Sequence, residues 1–484
     1  MQGHRFPYIW ALFLMAMLPA HALARGGFGV GPPPGVPLGL GGFPPGIAGG
    51  VGGLGIGPPA GSGLGPPLGI GAPPAGSGNG RGGLAHLPAV ERAASALSHV
   101  SELPSQAQSA IARAGARDLV GRPTDKLILS QALTHDERGN EIVRGELLAI
   151  SPKRKDLAIA RQLHFSILHT DRLSALGLLS VTLALPEGMT AVSALALLRH
   201  ADPAGTFDYS SIYNPSGDGL VAKAPNSLPA SVDAGKVVVG MIDGGIDQQH
   251  PSLAGNRIVA RSFAGRGTSP PTPHGTAIAS LLVGRSRKFS GYLPGASLYA
   301  ADVYGGVADG GSAIDIARAL NWLAHKGIAV TNISLSGPSN ALLGAAVKAF
   351  IGTGHVLVAA AGNDGPAAPP NYPAGYPGVI CVTSVDREQQ FEMDANLNRC
   401  RYAARGVNVR AARLPRGYGR FTGTSYAAPM VSAGFARLMP NPGLPQAYAA
   451  GQFLMRCSHL IVSADGQKVH LIRFGRLKQN LDSD

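Results

Sequence analysis

Long apolar runs that stop at a polar residue beside glycine set the pattern of the chain's second half. Val237-Val-Val-Gly-Met-Ile242 stops at Asp243-Gly-Gly245, and Val356-Leu-Val-Ala-Ala-Ala361 stops at Gly362-Asn363. Gly378-Val-Ile-Cys-Val-Thr383 adds a further strand, and Asn332-Ile-Ser-Leu-Ser-Gly-Pro338 a strand followed by a loop. Runs without two-residue alternation mark parallel strands buried on both faces. Between them lie small, apolar segments of helical character, His274–Val283 and Met430–Leu438. Buried strands alternating with helices predict an α/β fold with a mostly parallel sheet, whose sites lie at the carboxyl edge of the strands.

The first half reads differently. Glu141–Ile150 predicts a strand, Lys153–Phe165 a helix, Leu178–Leu185 a strand, Thr190–His200 a helix with a threonine start, and Phe207–Tyr213 a last strand. This order makes a small α+β unit of residues 140–215. Residues 84–139 are rich in Ala, Ser and Arg and predict surface helices, as in Val90-Glu-Arg-Ala-Ala-Ser-Ala-Leu97. Residues 25–83 are of low complexity: 37 of the 58 residues from 26 to 83 are Gly or Pro. So few packing side chains remain that the tract reads as a disordered linker, with a wall- or surface-associating segment as the sharper alternative. Residues 1–24 carry His4 and Arg5, the apolar run Ile9–Leu18 and Ala22-Leu-Ala24. That is the pattern of a secretory signal peptide, with an apolar run too short to span a bilayer comfortably. A secreted or periplasmic location is expected, with no transmembrane segment.

The candidate chemistry sits where the apolar runs end. In Phe421-Thr-Gly-Thr-Ser-Tyr-Ala-Ala-Pro429, Ser425 stands at the start of a helix, where unpartnered backbone N–H groups can hold a developing oxyanion. His274, at another helix start, could take its proton, and Asp243 could orient the imidazole. Asn363 could donate a side-chain N–H to the oxyanion. Taken singly, each has a bland alternative: a helix cap, a strand-end acid, a surface histidine, a turn asparagine. Four such residues in one order, each at an element boundary, make coincidence a poor account. His250, His325 and His355 read as structural or surface histidines.

With these residues in view the chain resembles the subtilisin-like serine proteases. The carrying blocks are Asp243-Gly-Gly-Ile-Asp-Gln-Gln-His-Pro-Ser-Leu253, His274-Gly-Thr276, Ser334-Leu-Ser-Gly-Pro338, Ala360-Ala-Gly-Asn363 and Gly423-Thr-Ser-Tyr-Ala-Ala-Pro429, within roughly residues 225–440. The order Asp, His, Ser separates this family from chymotrypsin-like proteases and α/β-hydrolases. The chain departs from the family pattern at Gly244, where threonine or serine is usual, and at Tyr426, where methionine is common. The resemblance implies a three-layer α/β domain over residues 216–484 and a serine endopeptidase acting through Asp243, His274 and Ser425, with Asn363 in the oxyanion hole. It also implies that Ser334, Leu335, Ser336 and Gly337 form an edge to which an extended substrate adds as a strand. The unit at 140–215 would be an inhibitory, folding-assisting propeptide, with self-cleavage between about Asn214 and Ala230. Asp364, beside Asn363, could lie near the pocket rim and tolerate a basic side chain before the cleaved bond.

Composition adds little that changes this picture. The net charge is +13, but the basic residues are scattered and no aromatic interleaving or nucleic-acid-binding motif accompanies them, so nucleic acid is not an expected partner. The expected partners are protein or peptide substrates and the chain's own propeptide. Of three cysteines, Cys400 and Cys457 are the expected pair, because Cys381 sits in an apolar strand. No metal-ligand spacing is present and no cofactor is expected; structural calcium occurs in relatives, but no acidic ligand loop points to it. The competing functions are a catalytically silent binding protein on the same scaffold and a surface adhesin organised by the Gly/Pro tract.

Overall fold

The computed structural model describes residues 132–217, 234–264, 270–305, 310–397 and 400–473. The expected leader, the Gly/Pro tract and nearly all of the segment 84–139 lie outside the described residues. The first described unit comprises β1 (Leu133–His135), β2 (Glu141–Ile150), α1 (Arg154–Gln162), β3 (Ser166–Leu173), β4 (Leu178–Ala184), α2 (Ala191–Ala201) and β5 (Phe207–Pro215). Its strands run antiparallel in the order β3-β4-β2-β5. Leu147, Phe165, Leu183, Leu195, Leu198 and Phe207 form a core between the sheet and the two helices. Helix α2 starts where the Thr190 hydroxyl accepts from Ser193 N–H at 3.2 Å. Helix α1 ends at Gln162, before the expected Phe165, and His164 with φ 65° turns the chain into β3.

The second unit follows as β6 (Val238–Asp243), β7 (Ile258–Ser262), α3 (Pro273–Val283), a hairpin β8–β9 (Arg285–Ser286 and Phe289–Ser290), β10 (Ser297–Asp302) and β11 (Gly311–Ser312). Then come α4 (Ala313–His325), β12 (Val330–Ile333), β13 (Leu335–Ser336), α5 (Ala341–Gly352), β14 (Val356–Ala360), β15 (Ile380–Val385) and β16 (Tyr402–Arg405). A hairpin β17–β18 (Val409–Ala412 and Tyr418–Phe421), α6 (Thr424–Leu438), α7 (Leu444–Cys457), β19 (His459–Val462) and β20 (Lys468–Leu471) complete it. The main sheet has the order β19-β20-β16-β15-β14-β12-β6-β10-β7 and is parallel except for its edge pair β19/β20.

Its strands β6 and β14 are apolar up to their carboxyl ends because helices cover both faces. Val239, Met241 and Val358 pack towards α3 and α6 on one side. Ile242, Ile333, Leu357 and Ala359 pack towards α4 and α5 on the other. The result is three layers, with Asp243, Ser334 and Asn363 all at the carboxyl edge of neighbouring strands.

The cysteine expectation needs correction. Cys381 is bonded to Cys400 with their Cα atoms 4.7 Å apart, and Cys457 is free. Parallel pairing of β15 with β16, in register at Val382 and Tyr402, brings the starts of both strands together. An apolar strand thus does not keep Cys381 from pairing.

The two units meet along β5 and over α4 and α5. Arg318 on α4 forks onto Asp171 of β3 at 2.7 and 2.8 Å. Asn340 donates to the Tyr209 carbonyl at 2.8 Å, and the Asp208 carboxylate accepts from Ala341 N–H at 2.6 Å, at the positive end of α5. Strand β5 then runs on between β11 and β13, antiparallel to both, pairing Tyr213 with Gly311 and Asn214 with Ser336.

Candidate active site

Asp243 ends β6 with its side chain fully buried, and its Oδ1 accepts from His274 Nδ1 at 2.9 Å. The same oxygen accepts from Gly244 N–H at 2.7 Å, which fixes the carboxylate's direction. His274 stands in the first turn of α3, after Pro273. That helix is started by Thr272, whose hydroxyl accepts from Gly275 N–H at 3.0 Å and donates to the Gly245 carbonyl at 3.1 Å. The close seat of Thr272 accounts for the departure at 244. A Cβ there would lie 2.4 Å from the threonine oxygen and 2.7 Å from the Tyr304 ring, so only glycine fits. Burial, and then the nearby Asp243 charge, push the Tyr304 phenol well above its ordinary range, so Tyr304 stays neutral.

Ser425 is the second residue of α6 and is fully buried. Its hydroxyl donates to the Ser334 carbonyl at 3.1 Å, while His274 Nε2 meets no hydrogen-bond partner among the described residues. Pro429, four residues on, has no N–H for the Ser425 carbonyl; that carbonyl accepts from the Ser334 hydroxyl at 3.0 Å instead. Ser334 is tied in turn to Asn332 at 3.0 Å, and Asn332 to Ser432 at 2.9 Å. A buried polar chain thus links the carboxyl end of β12 to α6 and sets the height of the serine.

The Asn363 amide oxygen accepts from Thr424 N–H at 3.0 Å, which leaves its Nδ2 as the free donor. A Cβ on Gly423 would lie 3.0 Å from that Nδ2 and 3.0 Å from the Ser216 carbonyl oxygen. The two groups therefore flank one small space.

That space is occupied by the chain itself. The Ser216 carbonyl accepts from Ser425 N–H at 2.9 Å, and Ser216 N–H donates to the Ser334 carbonyl at 3.2 Å. Tyr213, three residues earlier, is fully buried and donates its hydroxyl to the Pro338 carbonyl at 2.7 Å. A Cβ on Gly337 would lie 2.6 Å from its ring, so glycine at 337 is what admits the tyrosine. The sequence-predicted residues Asp243, His274, Asn363 and Ser425 are thus gathered at one edge, with Ser334, Leu335, Ser336 and Gly337 along the adjoining strand. Asp364 is exposed and accepts from Asn371 at 2.5 Å.

Sequence reasoning missed the second flanking edge, Gly311–Ser312, and the seat of Tyr213, while Ser216 falls within the stretch from Asn214 to Ala230 where self-cleavage was expected. The only available signal was that β5 points an aromatic and a small residue into a Pro/Gly-rich stretch. The three other histidines lie apart: His250 is tied to Ser252 and the Gly417 carbonyl, His355 to the Ile328 carbonyl, and His325 is exposed at the end of α4.

Comparisons with known proteins bear on the family and the fold. The profile of the subtilase family matches residues 234–463. The major intracellular serine protease of Bacillus subtilis (strain 168) is 32% identical over 230 residues, covering 45% of this chain and 72% of that protein. Subtilisin BL of Lederbergia lenta is 34% identical over 227 residues, covering 45% and 81%. The fold is also that of fervidolysin from Fervidobacterium pennivorans, described as a keratinolytic enzyme related to subtilisin. The TM-score is 0.57 at 19% identity, with 72% of this chain and 63% of that one covered.

Proposed function

The chain belongs to the subtilase family and is a subtilisin-like serine endopeptidase, and on that premise we propose that Asp243, His274 and Ser425 are its triad and Asn363 its oxyanion donor. We further propose that the unit ending in β5 is its own propeptide, and that Ser216–Gly217 is the bond cut in self-maturation. One observation carries the proposal: the Ser216 carbonyl rests on the Ser425 backbone N–H while Ser216 N–H is held by Ser334. A substrate residue at the cleaved bond has the same two needs, an oxyanion donor for its carbonyl and a strand partner for its N–H.

Each step follows from these contacts. Asp243 accepts from His274 Nδ1–H, which leaves Nε2 as the base. The Ser425 hydroxyl turns from Ser334 to His274, gives up its proton and attacks the Ser216 carbonyl carbon. The carbonyl oxygen becomes an oxyanion held by Ser425 N–H and Asn363 Nδ2. His274 then protonates the Gly217 nitrogen, the Ser216–Gly217 bond breaks, and an ester remains on Ser425. Water deprotonated by His274 releases it. Other extended peptides would take the place of β5 between Gly311 and Leu335–Ser336. Export directed by residues 1–24 makes the enzyme secreted or periplasmic.

A fluorophosphonate, which esterifies an activated serine, tests the assignment on the processed protein. One adduct per molecule on Ser425 is expected, with peptide hydrolysis lost in step with labelling. An adduct on another serine, or full activity after labelling is complete, would contradict it.

A further inference from the structure

Tyr426 follows the nucleophile and stands where the family commonly has methionine. Its ring is 1% exposed, is stacked on Phe421 with centroids 5.1 Å apart, and lies 5.7 Å from the His274 ring. The ring is therefore held on both sides, within a helix start buried from Thr424 to Ala436. It faces Gly217, the residue after the bond at Ser425. A Cβ on Gly217 would lie 2.9 Å from Tyr426 Cε2, 3.4 Å from Cδ2 and 3.2 Å from the Thr422 carbonyl oxygen. The first distance is shorter than real Cβ contacts, and neither neighbour can give way cheaply: one is a packed ring, the other backbone.

Resting on the reading of Ser216–Gly217 as the scissile bond, we propose that Tyr426 is a specificity-determining residue that restricts cleavage to bonds followed by glycine. The substrates are then peptides in which an extended segment is followed directly by glycine, a property the chain's own Ser216-Gly217 fulfils. The discrimination is steric exclusion on the leaving side of the bond. The Ser425 ester left after cleavage no longer carries the glycine, so exclusion acts on acylation and leaves deacylation alone.

The test uses the processed enzyme and peptides Ser-Ser-Ile-Tyr-Asn-Pro-Ser-Xaa-Asp-Gly, with Xaa as Gly, Ala or Leu and products identified by mass. Wild type should cut the Gly peptide after serine at least about tenfold faster than Ala, in kcat/KM, and about a hundredfold faster than Leu. In Tyr426→Ala the Gly-to-Leu ratio should fall at least about tenfold. Equal wild-type rates after the same serine would overturn the proposal while leaving the protease reading standing. A full ratio persisting in Tyr426→Ala would overturn the role of Tyr426. If no peptide is cut, or cutting occurs at another bond, the reading beneath the proposal fails and takes the proposal with it. Should Tyr426→Ala not fold, Tyr426→Met takes its place in the same ratio, and Gly217→Leu in the full chain tests the exclusion itself. Self-cleavage after Ser216 should be lost or slowed about a hundredfold, and undiminished cleavage there would refute the exclusion.

Discussion

Changing the tyrosine of a peptide Ser-Ser-Ile-Tyr-Asn-Pro-Ser-Gly-Asp-Gly should affect cleavage by the processed enzyme far more than its distance from the reacting bond suggests. The corresponding Tyr213 is fully buried, three residues before Ser216, and packs against Gly337 while its hydroxyl reaches the Pro338 carbonyl at 2.7 Å. A buried tyrosine removes about 150–250 Å² from water, which at about 25 cal/mol per Å² is an upper bound of about 4–6 kcal/mol. Ordering of the side chain and partial burial in the free peptide reduce this, to about 3–4 kcal/mol. Alanine should therefore lower kcat/KM by about 10²–10³. Phenylalanine keeps the ring and loses only one neutral hydrogen bond, about 1 kcal/mol, so the fall should be about fivefold. The phenol is available as a donor throughout the working range, since burial pushes its pKa well above the ordinary value. The assay is initial rates for the three peptides at concentrations well below KM. An alanine peptide cut within about threefold of the tyrosine peptide would refute the reasoning, because the buried pocket would then contribute nothing to the transition state.

Two further outcomes follow from the same geometry. Asp243→Asn should slow self-cleavage of the full chain at Ser216–Gly217 by about 10⁴, because the amide cannot hold the histidine tautomer; a loss under about tenfold would contradict the role given to Asp243. His355 is buried against Phe350 and hydrogen-bonded to the Ile328 carbonyl, and burial lowers its pKa below 6.5. A lowered pKa means that the folded state prefers the neutral ring, so this contribution is present above pH 6.5 and is lost as pH falls through the folded value. In a Ser425→Ala background, which prevents self-digestion, the loss of Tm between pH 7 and pH 5 should be smaller for His355→Phe than for its parent, and an equal loss would refute the assignment.

Much of the proposed catalytic edge was legible in the sequence because the candidate residues sit where apolar runs end. Asp243, Asn363 and Ser334 each close a buried strand, and His274 and Ser425 each open a buried helix, so local pattern and chemistry coincide. What was not legible depends on long-range pairing. Strand β3, Ser166–Leu173, lies at the sheet edge, half-buried or exposed up to Leu173, and contains His169-Thr-Asp-Arg172, so its apolar signal is weak and without a clear period. Tyr213 and Ser216 read as the end of a strand and the residues just past it; only the run of β5 between β11 and β13 gives them partners 98 and 118 positions away, from Tyr213 to Gly311 and from Ser216 to Ser334. The cysteine pair was misjudged for a related reason, since apolar surroundings say nothing of which strand lies alongside. Gly244 looked like a departure from pattern and is a packing requirement set by Thr272.

The intact mass and new N-terminus of the full chain expressed without residues 1–24, followed beside a Ser425→Ala twin, test the central claim most directly. The account predicts that wild type alone is cut between Ser216 and Gly217, while the twin stays whole. Cleavage of both chains at that bond, or an uncut wild type that also fails to hydrolyse casein, would contradict it.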